Sequence, residues 1–122
     1  MHSPTADLRI RAIKPLRPPA VLEQELPLGE ARAALVARTR SEVAAVMTGR
    51  DDRLLVVVGP CSIHEPAAAL EYAARLQEIG PLYAPDLLIV MRVYFEKPRT
   101  VVGWKGLIND PNLDGSYEIN RG

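Results

Sequence analysis

Two short segments hold the residue types from which chemistry could be built. In "GPCSIHEP" the only cysteine, Cys61, stands three residues before His64. A thiolate is a nucleophile and a soft metal ligand, and an imidazole adds a second donor or a proton carrier. In "MRVYFEKPRTVVGWKGL" the cations Arg92, Lys97, Arg99 and Lys105 are set against one acid, Glu96, and Thr100 adds a hydroxyl. Guanidinium groups suit bidentate binding of phosphate or carboxylate, whereas an ammonium acts as a point charge. The chain carries 15 basic and 15 acidic side chains, so this concentration of positive charge is local. It is either a solvated loop of arbitrary charge or a site for an anion, because cations folded inward need compensating negative charge.

Each of these residues also has a plainer reading. A lone cysteine is commonly an inert small hydrophobe. A closed zinc site needs three or four ligands, and the only other histidine is His2, so the chain cannot build a closed Cys/His metal site by itself. His64 could equally cap a helix that starts near Pro66. Tyr94 and Phe95 read as core or wall residues, since the interleaved aromatic pattern that binds single-stranded nucleic acid is lacking. No glycine-rich phosphate loop of the Walker or Rossmann type is present. In "GWKGLINDPNLDGSYEINRG" Asp110 and Asp114 are oxygen donors of the type a hard cation takes, but Asn-Asp-Pro is an ordinary turn signal and the turn is the preferred reading.

The elements that must position these residues follow from periodicity. "EARAALVARTRSEVAAVMTG" predicts a helix over about 30–48, with Ala31, Leu35, Val43, Val46 and Met47 near the helical period and Gly49 as its stop. "LLVVV" is continuously apolar and β-branched, the mark of a strand buried on both faces as in parallel sheets. "AAALEYAARLQEIG" predicts a second helix, with Leu70, Ala73 and Leu76 on one face, Pro66 in its first turn and Gly80 at its end. "DLLIVMRV" predicts a second buried strand. Helix, strand, helix and strand with short connections imply a βαβ unit and an α/β fold. Ligands of such sheets sit at the C-terminal ends of the strands, and both unusual segments leave a strand there. Before these elements, "DLRIRAI" alternates like an exposed strand. The prolines of "KPLRPPAVLEQELPLG" then deny a regular helix or central strand, leaving a linker or an arm toward another subunit.

Composition bounds the rest. The 122 residues suffice for one domain, and 25% charged with 48% hydrophobic residues is ordinary for a globular protein. Zero formal net charge speaks against broad nucleic-acid or membrane-surface binding. A single cysteine allows no internal disulfide and points to a reducing compartment. With neither a signal-peptide h-region nor an apolar run long enough for a bilayer, the expectation is a cytoplasmic protein that starts at Met1.

"LLVVVGPCSIHEP", "MRVYFEKPRTVVGWKGLINDP" and, more weakly, "DLRI" resemble the type I 3-deoxy-D-arabino-heptulosonate-7-phosphate (DAHP) synthases. These enzymes open the shikimate pathway of aromatic amino-acid biosynthesis. The resemblance runs nearly end to end, and its long strings are far more specific than a lone glycine motif. It implies a (β/α)8 TIM barrel after an N-terminal extension. Residues 1–50 would be the extension, an interface or regulatory arm plus a helix, and 51–122 the first two βα units of an incomplete barrel. The implied reaction condenses phosphoenolpyruvate with erythrose 4-phosphate and water to give DAHP and phosphate.

The resemblance also implies roles for particular residues. Cys61 would ligate a divalent metal of the Mn, Fe, Co or Zn class, with a His, a Glu and an Asp expected from later strands. Arg92 would bind phosphoenolpyruvate. Lys97 would contact phosphoenolpyruvate and the reacting end of the sugar, and Arg99 and Thr100 would hold the phosphate of erythrose 4-phosphate. His64 would support the catalytic turn. Asp7 and Ile10 fall near the family's feedback site, although Ala6 stands where a relative has a second acid. A homo-oligomer, dimer or tetramer, is expected of the full-length enzyme. Two other readings stay open: a noncatalytic truncated paralogue that associates with a full-length synthase, and a generic phosphate-binding α/β module.

Overall fold

A computed structural model describes residues 6–10, 12–96 and 101–122. Its elements are α1 (Pro19–Glu25), α2 (Glu30–Met47), β1 (Leu54–Val58), α3 (Pro66–Tyr83) and β2 (Leu87–Met91). The two strands pair in parallel, from Leu54 opposite Leu87 to Val58 opposite Met91. Parallel strands need a crossover, and α3 supplies it. The βαβ unit is therefore present as expected.

The helix faces follow from side-chain spacing. Half-buried positions in α3 are Ala69, Tyr72, Ala73, Leu76 and Gly80, a stripe at intervals of three and four that packs against β2. Leu70, expected on that face, is 72% exposed, because the stripe runs one position earlier through Ala69 and Tyr72. In α2 the inward side is Thr39, Glu42, Val43, Ala45 and Val46, and it packs on β1. Leu35 and Met47 point away from it, at 52% and 73% exposure. The exit from α2 is pinned by Arg53, whose guanidinium lies 2.7 Å from Asp51 and 3.8 Å from Glu42.

Several expectations needed correction. Proline does not exclude a helix over 19–25. Pro19 is its first residue, where the fixed φ is already helical and no N–H is required, and "AVLEQE" continues with good helix formers. The "DLRI" segment forms a turn rather than a strand: Asp7 has φ 59°, and the Ile10 N–H donates to the Asp7 carbonyl at 3.0 Å. Among the described residues no strand pairs with it. α3 runs through Gly80 and Pro81 to Tyr83. A proline in the last turn removes only one hydrogen bond, and Gly80 sits on the packing face rather than at a cap.

The strands are not buried on both faces. Leu54 and Val57 are 65% and 62% exposed, whereas Leu88 is 7% exposed. Two strands with a helix packed on each leave much of the apolar surface uncovered. Among the described residues the buried apolar side chains are Ile63, Leu88 and Leu107. Two of these, Ile63 and Leu107, lie in the loops beyond the strand ends rather than in the strands.

Candidate functional site

Both chemistry-bearing segments emerge at the C-terminal edge of the sheet and are stitched together there. The strand register continues one step, with the Arg92 N–H donating to the Val58 carbonyl at 2.8 Å. Gly59 follows, and its bare Cα lets the two exits touch: a Cβ built on it would lie 2.6 Å from the Arg92 carbonyl oxygen. The Ile63 N–H then donates to the Tyr94 carbonyl at 2.8 Å. Buried Ile63 and Ser62 anchor the turn, while Cys61 and His64 on either side of them remain exposed. The turn thus presents its two reactive side chains outward from a fixed backbone.

Arg92 reaches across this seam. Its Nη2 donates to the Cys61 carbonyl at 3.1 Å, and its guanidinium carbon stands 5.2 Å from the centre of the Tyr94 ring. That is cation–π range. The side chain is exposed, so much of its donor fork stays open to a ligand. The structure therefore brings Cys61 and Arg92 into direct contact although 31 residues separate them.

The basic segment is a loop with a closed neck. Glu96 and Gly106 form an antiparallel bridge, and the Leu107 N–H donates to the Phe95 carbonyl at 2.8 Å. Gly106 has φ 109°, and a Cβ there would lie 2.5 Å from the Phe95 oxygen, so the neck requires glycine. Lys97, Arg99 and Thr100, which follow Glu96 in sequence, lie outside the described residues. Lys105, close to the neck, donates to the Val101 carbonyl at 3.0 Å.

The stretch after the neck is ordered by Asp110, which is 5% exposed. Its carboxylate accepts the Gly115 N–H at 3.1 Å, and its carbonyl accepts the Trp104 indole N–H at 2.7 Å. Asp114 accepts the Ser116 N–H at 2.9 Å, and the hydrogen bonds to Ser116 hold its carboxyl below the usual carboxylate value. Both acids act as turn formers, as the Asn-Asp-Pro signal predicted. The buried Asp110 that closes this loop was legible as a turn residue, but nothing in the sequence marked it as the loop's buried centre.

His64 does not cap α3. The N-cap is Glu65, and no side chain caps it. Asp7 and Ile10 are exposed in their own turn. The extension is tied down elsewhere, where the Asn120 side chain accepts the Arg17 N–H at 2.9 Å and donates to the Pro15 carbonyl at 3.0 Å.

Cys61 suits a soft or borderline divalent metal, yet among the described residues no group of three or more His, Cys, Asp or Glu side chains could hold one.

Comparison with known proteins identifies the family. The sequence profile of the "DAHP synthetase I family" matches residues 26–122. The phospho-2-dehydro-3-deoxyheptonate aldolase of Amycolatopsis methanolica is 58% identical over 114 residues, which are 93% of this chain and 56% of that protein. The Phe-sensitive phospho-2-dehydro-3-deoxyheptonate aldolase of Escherichia coli K12 is 55% identical over 122 residues, which are 100% of this chain and 35% of that protein. The solved structure of the phospho-2-dehydro-3-deoxyheptonate aldolase from Francisella tularensis SCHU S4 superposes with a TM-score of 0.86 at 56% identity, covering 91% of this chain and 33% of that one. The chain thus spans about a third to just over half the length of these relatives. With the profile covering most of its residues, the chain belongs to the DAHP synthetase I family.

Proposed function

We propose that the chain forms part of a 3-deoxy-7-phosphoheptulonate synthase, supplying the extension over 1–50 and the first two βα units of a (β/α)8 barrel over 51–122. The observation that carries this reading is the contact between the Arg92 guanidinium and the Cys61 turn at the C-terminal edge of a parallel sheet. In a family whose relatives bear the aldolase name, that is where a barrel enzyme holds its substrates.

Phosphoenolpyruvate carries a phosphate and a carboxylate, and erythrose 4-phosphate a second phosphate. Arg92 and Lys97 bind the first substrate, and Arg99 and Thr100 bind the phosphate of the second. The cation cluster overcomes the repulsion between the two anions and fixes their orientation, which supplies much of the rate. Carbon 3 of phosphoenolpyruvate forms a bond to the aldehyde carbon of the sugar. Water supplies the oxygen that remains at carbon 2, and inorganic phosphate leaves. Lys97 stands at the reacting end of the sugar, and His64 supports the catalytic turn. A divalent metal ion of the Mn, Fe, Co or Zn class, held by Cys61 with donors from outside the described residues, would polarise the aldehyde as a Lewis acid. Asp7 and Ile10 belong to a regulatory site for an aromatic amino acid, the working assembly is a homo-oligomer, and the setting is the cytoplasm. No helix of the described residues is long and apolar enough to cross a membrane.

The test is kinetic, on the complete synthase carrying this sequence. Arg92→Ala should chiefly raise KM for phosphoenolpyruvate and Arg99→Ala that for erythrose 4-phosphate, each losing about 2–5 kcal/mol where a buried partner charge is left unpaired. Cys61→Ala should lose bound metal and turnover while keeping its fold. Equal effects of both arginines on both substrates would sink the division of labour, and full metal content in Cys61→Ala would sink the ligand assignment.

A further inference from the structure

Tyr94 carries no substrate role in the proposed reaction, yet it stands at the seam between the two strand exits. Its side chain is 38% exposed, among the less exposed of the large side chains open to solvent here. Its backbone carbonyl holds the Cys61–Ile63 turn through the Ile63 N–H at 2.8 Å. Its ring lies 5.2 Å from the Arg92 guanidinium carbon. The guanidinium is thus held from two directions, by the Tyr94 ring and by the Cys61 carbonyl at 3.1 Å. An arginine on the rim of an open site would otherwise sample many rotamers, and ordering it on ligand binding costs entropy. A ring within cation–π range of the guanidinium restricts it while leaving N–H donors free for a ligand.

We propose that Tyr94 is a positioning residue for phosphoenolpyruvate. It acts through Arg92, holding the guanidinium against the Cys61 turn so that its open donors are already aimed at the anionic substrate. This rests on the assignment of Arg92 to that substrate. The ring performs the task and the hydroxyl does not, so the phenylalanine and tryptophan variants retain it. Because the effect passes through Arg92, it vanishes when Arg92 is removed. The erythrose 4-phosphate side, assigned to Arg99 and Thr100, is indifferent to it.

The experiment uses the complete synthase with Tyr94→Leu, Tyr94→Phe and Tyr94→Trp, alone and in an Arg92→Ala background. Tyr94→Leu should raise KM for phosphoenolpyruvate about two- to fivefold, the range of an exposed cation–π contact. KM for erythrose 4-phosphate and the melting temperature should stay unchanged. Tyr94→Phe and Tyr94→Trp should restore the wild-type KM, and Tyr94→Leu should add nothing to Arg92→Ala. The Arg92 Nε–H resonance, shifted by the ring current, should move in Tyr94→Leu and not in Tyr94→Phe. The inference is overturned if Tyr94→Phe behaves like Tyr94→Leu, if both KM values rise together, or if Tyr94→Leu acts equally without Arg92. If Arg92→Ala itself leaves KM for phosphoenolpyruvate unchanged, the substrate assignment falls and takes the inference with it. If Arg92→Ala raises that KM and Tyr94→Leu does not, the inference alone falls.

Discussion

At the residue scale, the decisive feature is how closely two backbones approach at Gly59. The Arg92 carbonyl oxygen would stand 2.6 Å from a Cβ placed there, and the obstacle is main chain, which cannot rotate aside. Gly59→Ala should therefore push the exit of β1 away from that of β2, at a cost of about 1–3 kcal/mol typical of overpacking. The hydrogen bond between Arg92 Nη2 and the Cys61 carbonyl should loosen with it. Chemical denaturation gives the stability change, and amide exchange at Ile63 reads the seam. A variant of wild-type stability with a protected Ile63 amide would show that the seam yields at no cost. Cys61, Arg92 and the cation cluster were legible as candidates because their types and strand-end positions are written in the sequence. Their contact was not, because a distance between residues so far apart in sequence depends on strand register, and two short, uniformly apolar strands do not encode their register.

At the element scale, the joint between α2 and β1 depends on a charge pair. Asp51 accepts from the Arg53 guanidinium and from its backbone N–H at 3.1 Å, and these bonds hold its carboxyl below the ordinary value of 3.8. A carboxyl with a lowered folded pKa contributes stability that is fully present above 3.8 and is lost as pH falls through the lowered value. Arg53 stays charged throughout, since Asp51 raises its already high value. Acidification below about pH 4 should thus release the turn before β1. Exchange of the Leu54 amide, followed against pH, should speed up in the wild type and show no such step in Asp51→Asn. An identical pH response in both proteins would remove Asp51 from the account. Period and composition sufficed to locate α2, α3 and both strands to within a few residues. They failed at α1, where the prolines suggested a linker or an arm without a regular helix, because Pro19 falls at the one helical position that favours proline. They also failed to mark the exposed sides of the strands, which depend on how much neighbouring structure covers them.

At the scale of the whole molecule, the 122-residue chain buries little of itself. A compact monomer of 122 residues exposes about 6,500 Å², whereas this chain exposes 10332 Å². Ile63, Leu88 and Leu107 are the buried apolar side chains among the described residues, while Leu54, Val57, Leu70 and Leu82 stand more than 60% exposed. "LLVVV" and "LLIVM" are short, apolar and uncharged, and a parallel pair with open edges presents them for association. Further βα units of the proposed barrel would cover that surface. Taken by itself, the chain should bind a hydrophobic dye, unfold without a sharp transition, self-associate, and release no phosphate from phosphoenolpyruvate and erythrose 4-phosphate with Mn²⁺ present. Local helix could persist in α2 and α3, though isolated helices of this length are marginal in water. Circular dichroism, analytical ultracentrifugation and a phosphate-release assay test these points together. A soluble monomer that melts cooperatively and turns over substrate would show that the described core suffices for folding and catalysis, and the barrel reading would then have to be abandoned.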